Sequence, residues 1–446
     1  MTPFPLYNPA LLPPERFALA TSLRRPLAQR LLAILRRIGA RGAPQHQLVL
    51  GAPGSGKTML LRVLQSEILR DPDLAQRWLP ITFPEAQWDV SRPADFWDNA
   101  LAYLVVALSR EGAEDEAQRL EAQREALPPG DEARAQAALA LLTTTSRRLG
   151  RRFVLLVDTL DVVLDRMKRD QWHMREVLSE EPRLLLIGAS ARAIEATYRY
   201  DAAFYDFFQL HELRPLARKA LPELLGDVHP DDPLAHTLRL ARRAPALFEA
   251  LLDLLGTQPR VLAMLGHQLQ LSAMLDASAG ATAEPAPELV TFALDALTPT
   301  MTARVEALAP QSQVVALALA ACWHPARPNE LAERTHLAAN VVSAQLHRLV
   351  QDGVVEKVPL PRGWGRQGFQ LTDRLLQVWL LMRMGQPHRR RLLRAAHLLA
   401  ETHAGNAHHG RVEILPQPPD PDPADYLLRI APELRALVAP ESPAAK

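Results

Sequence analysis

Apolar residues in the first half of this chain fall into short unbroken runs separated by helically spaced segments. Leu48-Val49-Leu50, Trp78 to Phe83, Phe153-Val154-Leu155-Leu156-Val157 and Leu184-Leu185-Leu186-Ile187 are such runs. They are short enough for strands and are not interrupted by polar alternation, the pattern of parallel strands buried on both faces. Between them the period changes. Met59 to Leu69 reads as a helix, and Asp95-Phe96-Trp97 opens another that reaches about Ser109. Residues 111–148 keep helical spacing broken at Pro128-Pro129-Gly130, with their charges on a solvated face. Strands alternating with helices predict a doubly wound α/β sheet whose ligands sit at the carboxyl ends of the strands.

From Leu213-Arg214-Pro215-Leu216 onward the pattern turns helical, through Leu251 to Leu255 and Val261 to Leu275. A linker rich in Ala, Gly and Pro follows, Ala277 to Pro287. Residues 312–384 then read as a winged helix: helices at Ser312–Ala321, Pro328–Thr335 and Asn340–Asp352, a Gly353 stop, and strands Val354–Val358 and Gly368–Leu371 around the loop Pro359 to Gln367. Asn340, Ser343, Gln345, His347 and Arg348 are the expected exposed residues of the third helix, the one that can enter a DNA groove in such folds. Thr372 to Arg383 closes the module as an amphipathic helix.

The expected organisation is therefore an N-terminal arm and helix (1–45), an α/β core (46–215), a helical subdomain and linker (216–300), a winged helix (301–385), and a basic helix with a Pro-rich tail (386–446). In the arm, Phe17, Arg24, Arg25, Leu31 and Leu32 stand just ahead of the core. They fit either a segment packed beside a nucleotide base or a docking helix with no ligand contact. The start His388-Arg389-Arg390-Arg391 of the basic helix fits an anion contact or a solvated face.

Charge adds little. Lys+Arg 51 against Asp+Glu 50 leaves a net charge of +1, so no global field announces a nucleic-acid partner. The single cysteine, Cys322, excludes an internal disulfide and a cysteine metal cluster. It lies in an apolar run and reads as a buried thiol. No apolar stretch is long enough to span a bilayer and no signal-peptide layout opens the chain, which reads as cytoplasmic.

The chemistry is concentrated in Gly51-Ala52-Pro53-Gly54-Ser55-Gly56-Lys57-Thr58, followed by Met59. The segment fits G-x-x-x-x-G-K-[ST] and stands between a strand and a helix, the context in which the pattern cradles phosphates. Glycines let successive N–H groups converge on phosphate oxygens, and the helix start adds partial positive charge. Lys57 would hold the β- and γ-phosphates, and the Thr58 hydroxyl would reach Mg²⁺. A nucleoside triphosphate and Mg²⁺ are thus the expected ligands, and the resemblance described below implies ATP.

Asp158 ends an apolar strand and is the expected second Mg²⁺ residue, acting through water. The next position, where many hydrolysing relatives carry an acid, is Thr159. Asp161 and Glu85 are the two candidates to polarise an attacking water. Ser190 and Arg192 follow another buried strand and are expected near the terminal phosphate, where an arginine can read its charge. Arg260 would reach back from the helical lid, and Arg199 is a candidate finger acting on a second copy.

These residues resemble a family. Gly51 to Thr58, Leu155-Leu156-Val157-Asp158-Thr159-Leu160-Asp161, Gly188-Ala189-Ser190-Ala191-Arg192, Leu213-Arg214-Pro215-Leu216 and Gln258-Pro259-Arg260 together look like the STAND and archaeal-type ATPases, relatives of the origin-recognition AAA+ proteins. The resemblance implies a nucleotide-driven switch with a helical lid and a winged helix. Thr159 and Thr257-Gln258 depart from the family pattern, the former bearing on hydrolysis rate.

Three functions fit. The first is a signal-transducing ATPase switch with slow hydrolysis and a protein partner or self-association. The second is a DNA-binding loader or transposition helper using Arg348, Arg362 and Arg366. The third is a nucleotide-gated scaffold without turnover.

Overall fold

The apolar runs form one parallel sheet. The computed structural model describes residues 21–38, 45–84, 89–192, 194–226, 228, 232–279, 294–295, 297–322, 325–360 and 366–383. By internal contacts the chain divides into two units, Met1–Arg214 and Pro215–Lys446.

In the first unit a 3₁₀ turn, Thr21–Arg24, leads into α1 (Arg25–Arg37) and β1 (His46–Leu50). Next come α2 (Lys57–Arg70), α3 (Pro72–Arg77) and β2 (Trp78–Thr82). A long helical crossover follows, made of α4 (Pro93–Arg110), α5 (Glu114–Glu125) and α6 (Asp131–Leu149). It leads into β3 (Arg152–Val157), α7 (Leu160–Arg166) and α8 (Gln171–Glu180). β4 (Leu184–Ser190), the short α9 (Glu195–Tyr198) and β5 (Phe208–Glu212) complete the unit.

The strand order is β2-β3-β4-β1-β5, every pair parallel. Alternate residues of each strand feed two cores. Phe153, Leu155 and Val157 join Phe83, Phe96 and Trp97 on the crossover face. Val154 and Leu156 join Leu31, Leu35, Leu64 and Ile68 beneath α1 and α2 on the other. Helices on both faces of a parallel sheet make this the doubly wound α/β fold the alternation predicts.

Two differences from the sequence reading concern β1 and β5. β1 begins at His46, a polar residue that is buried because both ring nitrogens find partners. The Leu186 amide donates to Nδ1 at 2.9 Å, so the proton sits on Nε2, which reaches the Leu178 carbonyl at 3.0 Å. β5 was not foreseen at all. It is an edge strand whose Gln209, Leu210 and Glu212 are exposed, so it lacks a continuous apolar run.

The second unit begins at Pro215. Its elements are α10 (Leu221–Gly226), α11 (Pro233–Arg243), α12 (Pro245–Leu255) and α13 (Pro259–Ala279), then α14 (Thr298–Glu306) and α15 (Pro310–Ala321). α16 (Pro328–Thr335), α17 (Ala339–Gln351), the hairpin β6 (Val355–Pro359) and β7 (Gln367–Leu371), and α18 (Arg374–Arg383) follow. α13 runs past the expected start of the linker at Ala277. α11 and α13 touch closely at Gly266, where an added Cβ would meet the Pro233 carbonyl oxygen at 2.0 Å. The Thr237 hydroxyl donates to the Leu262 carbonyl at 2.7 Å across the same seam.

In the C-terminal part, Ala326 bridges antiparallel to Phe369, adding a third short segment to the hairpin. Asp373 accepts from the Leu375 amide at the start of α18 and pairs with Arg304 at 2.6 Å. Gln377 donates to the carbonyls of Ala320 and Cys322, fastening α18 to the end of α15. Gln345 differs from expectation. It turns toward α15, accepting from the Ser312 hydroxyl at 2.7 Å and donating to Gln311 at 3.2 Å. Asn340, Ser343, His347 and Arg348 are exposed.

Candidate nucleotide site

The loop between β1 and α2 is shaped by two glycines with positive φ, Gly54 at 85° and Gly56 at 91°. Side chains rarely adopt that region, so the sequence needs glycine there for the chain to turn back on itself. Gly51 is needed for space. A Cβ on it would meet the Ser55 Oγ at 2.6 Å and the Leu213 Cβ at 2.9 Å. The loop is braced from the sheet side by the Gly51 amide, which donates to the Ser190 carbonyl at 3.1 Å. α2 then starts at Lys57, and the Leu60 amide donates to Gly56 at 2.9 Å. Met59 packs against the core beneath the helix.

Lys57 Nζ donates to the carbonyls of Gly51 at 2.7 Å and Ala52 at 3.2 Å, so the ammonium lies over the concave side of its own loop. The Thr58 hydroxyl donates to Asp158 Oδ2. β1 and β3 are not neighbours, because β4 lies between them. That order leaves room at the strand ends for a hydroxyl from α2 and a carboxylate from β3 to converge. Both are oxygen donors of the kind Mg²⁺ accepts, and Asp158 is buried with its second oxygen held by the Thr159 amide at 2.9 Å. Thr58 and Asp158 are the residues that would hold the ion.

Thr159 has φ 50°, the left-handed region, which is costly for a β-branched residue. The twist starts α7 immediately after the strand. Leu160 then lies so close to Gly188 that a Cβ there would meet its Cδ2 at 2.3 Å. Asp161 follows in the first turn, buried, with Oδ1 lacking a hydrogen-bond partner and Oδ2 accepting from Arg192 Nε at 3.1 Å. Arg192 also pairs with Asp165. Burial pulls the Arg192 guanidinium down, but the charges of Asp165 and Asp161 outweigh it and the net shift is upward. Arg192 is thus a charged clamp between the end of β4 and α7. The Ser190 hydroxyl donates to the Arg192 carbonyl and shapes the same turn.

The structure therefore brings together the phosphate loop, Asp158, Asp161, Ser190 and Arg192. Glu85 and Arg362 lie outside the described residues, as do Phe17, the basic stretch at His388 and the Pro-rich tail. Arg260 stands at the first turn of α13 in the second unit. Arg199 is exposed and paired with Asp201 at 2.6 Å.

One residue beside the loop was undervalued by the sequence reading. Arg24 donates from Nε to the Ser55 carbonyl and from Nη2 to the Arg214 carbonyl, both at 2.9 Å. Burial lowers its pKa to about 10. Its position ahead of the loop was visible, but the partners were not, because they lie 31 and 190 residues away.

Residues 23–187 match the family described as AAA ATPase domain. The AAA ATPase match takes in Arg24, the phosphate loop, Asp158 and Asp161, and ends within β4. The matched segment spans β1 to β4 of the first unit, whose parallel α/β sheet carries the phosphate-loop sequence between β1 and α2. Among solved structures the chain is similar to Orc1 of Aeropyrum pernix, in complex with DNA, at 19% identity over 87% of this chain and 97% of that one, with TM-score 0.41. It is similar to Cdc6p of Pyrobaculum aerophilum at 15% identity over 88% and 97%, TM-score 0.40. The Thermotoga maritima RuvB Holliday junction branch migration motor is similar at 17% identity over 76% and 89%, TM-score 0.36. No curated protein matches. Among the described residues no helix is long and apolar enough to cross a membrane.

Proposed function

We propose that the chain is a cytoplasmic, Mg²⁺-dependent ATPase switch of the STAND or archaeal ATPase type, in which slow turnover controls a C-terminal winged helix. The observation that carries this reading is the convergence of Thr58 and Asp158 behind a phosphate loop whose following acid position is Thr159. Magnesium, when bound, would neutralise the phosphate charge and polarise the terminal phosphoryl group. Lys57 would orient the β- and γ-phosphates, the loop amides would bind their oxygens, and Thr58 and Asp158 would hold the ion.

Thr159 cannot accept a proton from water at neutral pH, so the residue after Asp158 supplies no base. Asp161 is the carboxylate proposed for that role, and its buried Oδ1 has no hydrogen-bond partner within the protein. In this arrangement Arg192 restrains it through Oδ2. Hydrolysis therefore depends on a carboxylate that is partly engaged, which supports a slow timer rather than a fast motor. Among the described residues, the winged-helix reading is supported by the order α15, bridge at Ala326, α16, α17, β6, β7. A protein partner or a second copy is the proposed receiver.

The test is phosphate release from MgATP by the full chain, with Lys57→Ala as control. Turnover abolished by that substitution and slower than about ten per second, the median enzyme rate, supports the switch. No turnover above about one per minute, with ATP still bound, would favour a nucleotide-gated scaffold instead.

A second reading, a DNA-binding loader or transposition helper, is favoured by the exposed face of α17 that carries Asn340, Ser343, His347 and Arg348, and by exposed Arg366 beyond it. It requires salt-sensitive duplex binding that weakens when Arg348, Arg362 and Arg366 are replaced.

A further inference from the structure

Arg24 occupies an unusual position for a surface-helix arginine. It ends the 3₁₀ turn before α1, and its fork is divided between two backbone carbonyls that belong to different parts of the fold. One is Ser55, in the middle of the phosphate loop. The other is Arg214, the last residue of the first unit.

The segment that Arg24 grips is tied to the loop a second time. The Leu213 amide donates to the Leu50 carbonyl at 2.6 Å, and the Leu213 side chain leaves no space for a Cβ on Gly51. Ser55 Oγ is buried here without a hydrogen-bond partner. On the far side of Pro215 the chain is held just as firmly. The Leu216 amide donates to the Thr257 carbonyl at 3.3 Å, and the Thr257 hydroxyl returns a bond to the Leu216 carbonyl at 2.7 Å. Thr257 immediately precedes Gln258, Pro259 and Arg260, where α13 begins. A path of hydrogen bonds and the two peptide links from Arg214 to Leu216 thus runs from the phosphate loop to Thr257, just before α13, and Arg24 is its first joint.

We infer that Arg24 is a positioning residue that transmits the state of the phosphate loop to the Leu213–Leu216 segment and through it to Thr257. The inference rests on the nucleotide reading given above. The physical reason is the geometry of guanidinium. Its planar fork makes two fixed hydrogen bonds at once, so a shift of the Ser55 carbonyl on phosphate binding must rotate the fork and pull on the Arg214 carbonyl. A lysine keeps the charge but, as a single tetrahedral ammonium, imposes no fixed angle between two acceptors.

The experiment is hydrogen exchange on the full chain, with and without MgATP, read in the peptide spanning 209–219, for wild type, Arg24→Ala and Arg24→Lys. Nucleotide binding is measured in parallel with a fluorescent ATP analogue. In wild type, MgATP is expected to slow exchange in this peptide roughly tenfold, the scale of a local opening made rarer. Both variants are expected to bind nucleotide within about threefold of wild type while losing most of that slowing. Arg24→Lys keeps the charge near the loop, so it stands as the variant to read if Arg24→Ala does not fold. Retention of the full nucleotide-dependent slowing in Arg24→Lys would overturn the inference, as would a wild type that binds nucleotide with no change in the peptide. Failure of wild type to bind nucleotide would instead overturn the nucleotide reading beneath it.

Discussion

Thr58 and Asp158 meet through a direct hydrogen bond although 100 positions separate them. Thr58 lies in the first turn of α2 and Asp158 directly follows β3, and the sheet order puts β4 between β3 and β1, the strand that leads to α2. The pair joins a hydroxyl and a carboxylate at the mouth of a glycine loop. A folding core gains little from such a pair; in the proposed function it would hold the magnesium of a nucleotide.

Lys57→Ala should weaken nucleotide binding by about tenfold to a hundredfold, the equivalent of one charge-assisted contact. Asp158→Asn should instead leave binding without metal unchanged and remove the gain that Mg²⁺ gives. Titration of a fluorescent ATP analogue with Mg²⁺ and with EDTA separates the two. Equal loss in both conditions for Asp158→Asn would remove it from the metal site.

Thr159 is held at φ 50°, and for a residue with a branched Cβ this costs roughly 1–2 kcal/mol. Glycine relieves that cost but loses more chain entropy on folding. The variant Thr159→Gly is therefore expected to be as stable as wild type or more so by up to about 1 kcal/mol. A lower denaturation midpoint in urea would show that the Thr159 side chain contributes contacts outweighing its backbone strain.

Gly266→Ala places a methyl group 2.0 Å from the Pro233 carbonyl oxygen. The obstacle is backbone rather than a side-chain tip, so α11 and α13 must separate. A loss of about 2–3 kcal/mol in the second unit is expected. Thermal unfolding followed by tryptophan fluorescence and calorimetry would reveal an early transition; an unchanged profile would mean that the helices slide without penalty.

His46 is buried and its pKa falls to about 4, from the ordinary 6.5. Burial causes the drop, opposed in part by the bond to Leu178. Between those values the unfolded chain binds a proton that the folded chain refuses, so stability is complete above 6.5 and declines as the pH is lowered toward 4. The loss is about 2 kcal/mol at pH 5. Burial, with Arg30 beside it, lowers the pKa of His211 as well, so it acts in the same direction. Urea midpoints at pH 7.5 and pH 5, compared with His46→Asn, test this: the variant should have a flatter pH dependence.

Local features of the chain were the most legible in the sequence. The phosphate loop is contiguous, and its glycines, lysine and threonine need only their neighbours to take shape. The buried strands β3 and β4 were equally plain, because strands covered on both faces carry no polar alternation. What escaped were features fixed by distant partners. His46 and Gln47 read as polar, yet His46 is satisfied by residues 132 and 140 positions away and Gln47 accepts at 2.7 Å from His211. β5 looked like loop because an edge strand needs only one covered side. Gln345 lies on a helix face that pattern alone assigned to solvent, and Ser312 and Gln311 turned it inward. The partners of Arg192, Asp161 and Asp165 on α7, also lie far from it in the chain.

The crossover between β2 and β3 is far longer than the dozen or so residues that a parallel connection requires. Its α4, α5 and α6 supply much of one face of the core, while the bend at Pro128-Pro129-Gly130 is exposed and a Cβ on Gly130 would meet nothing. New chain termini, a dye pair or an inserted reporter domain placed there would disturb neither strand pairing nor the loop between β1 and α2. To watch the states of the proposed switch interconvert, that bend is the place to attach the instrument.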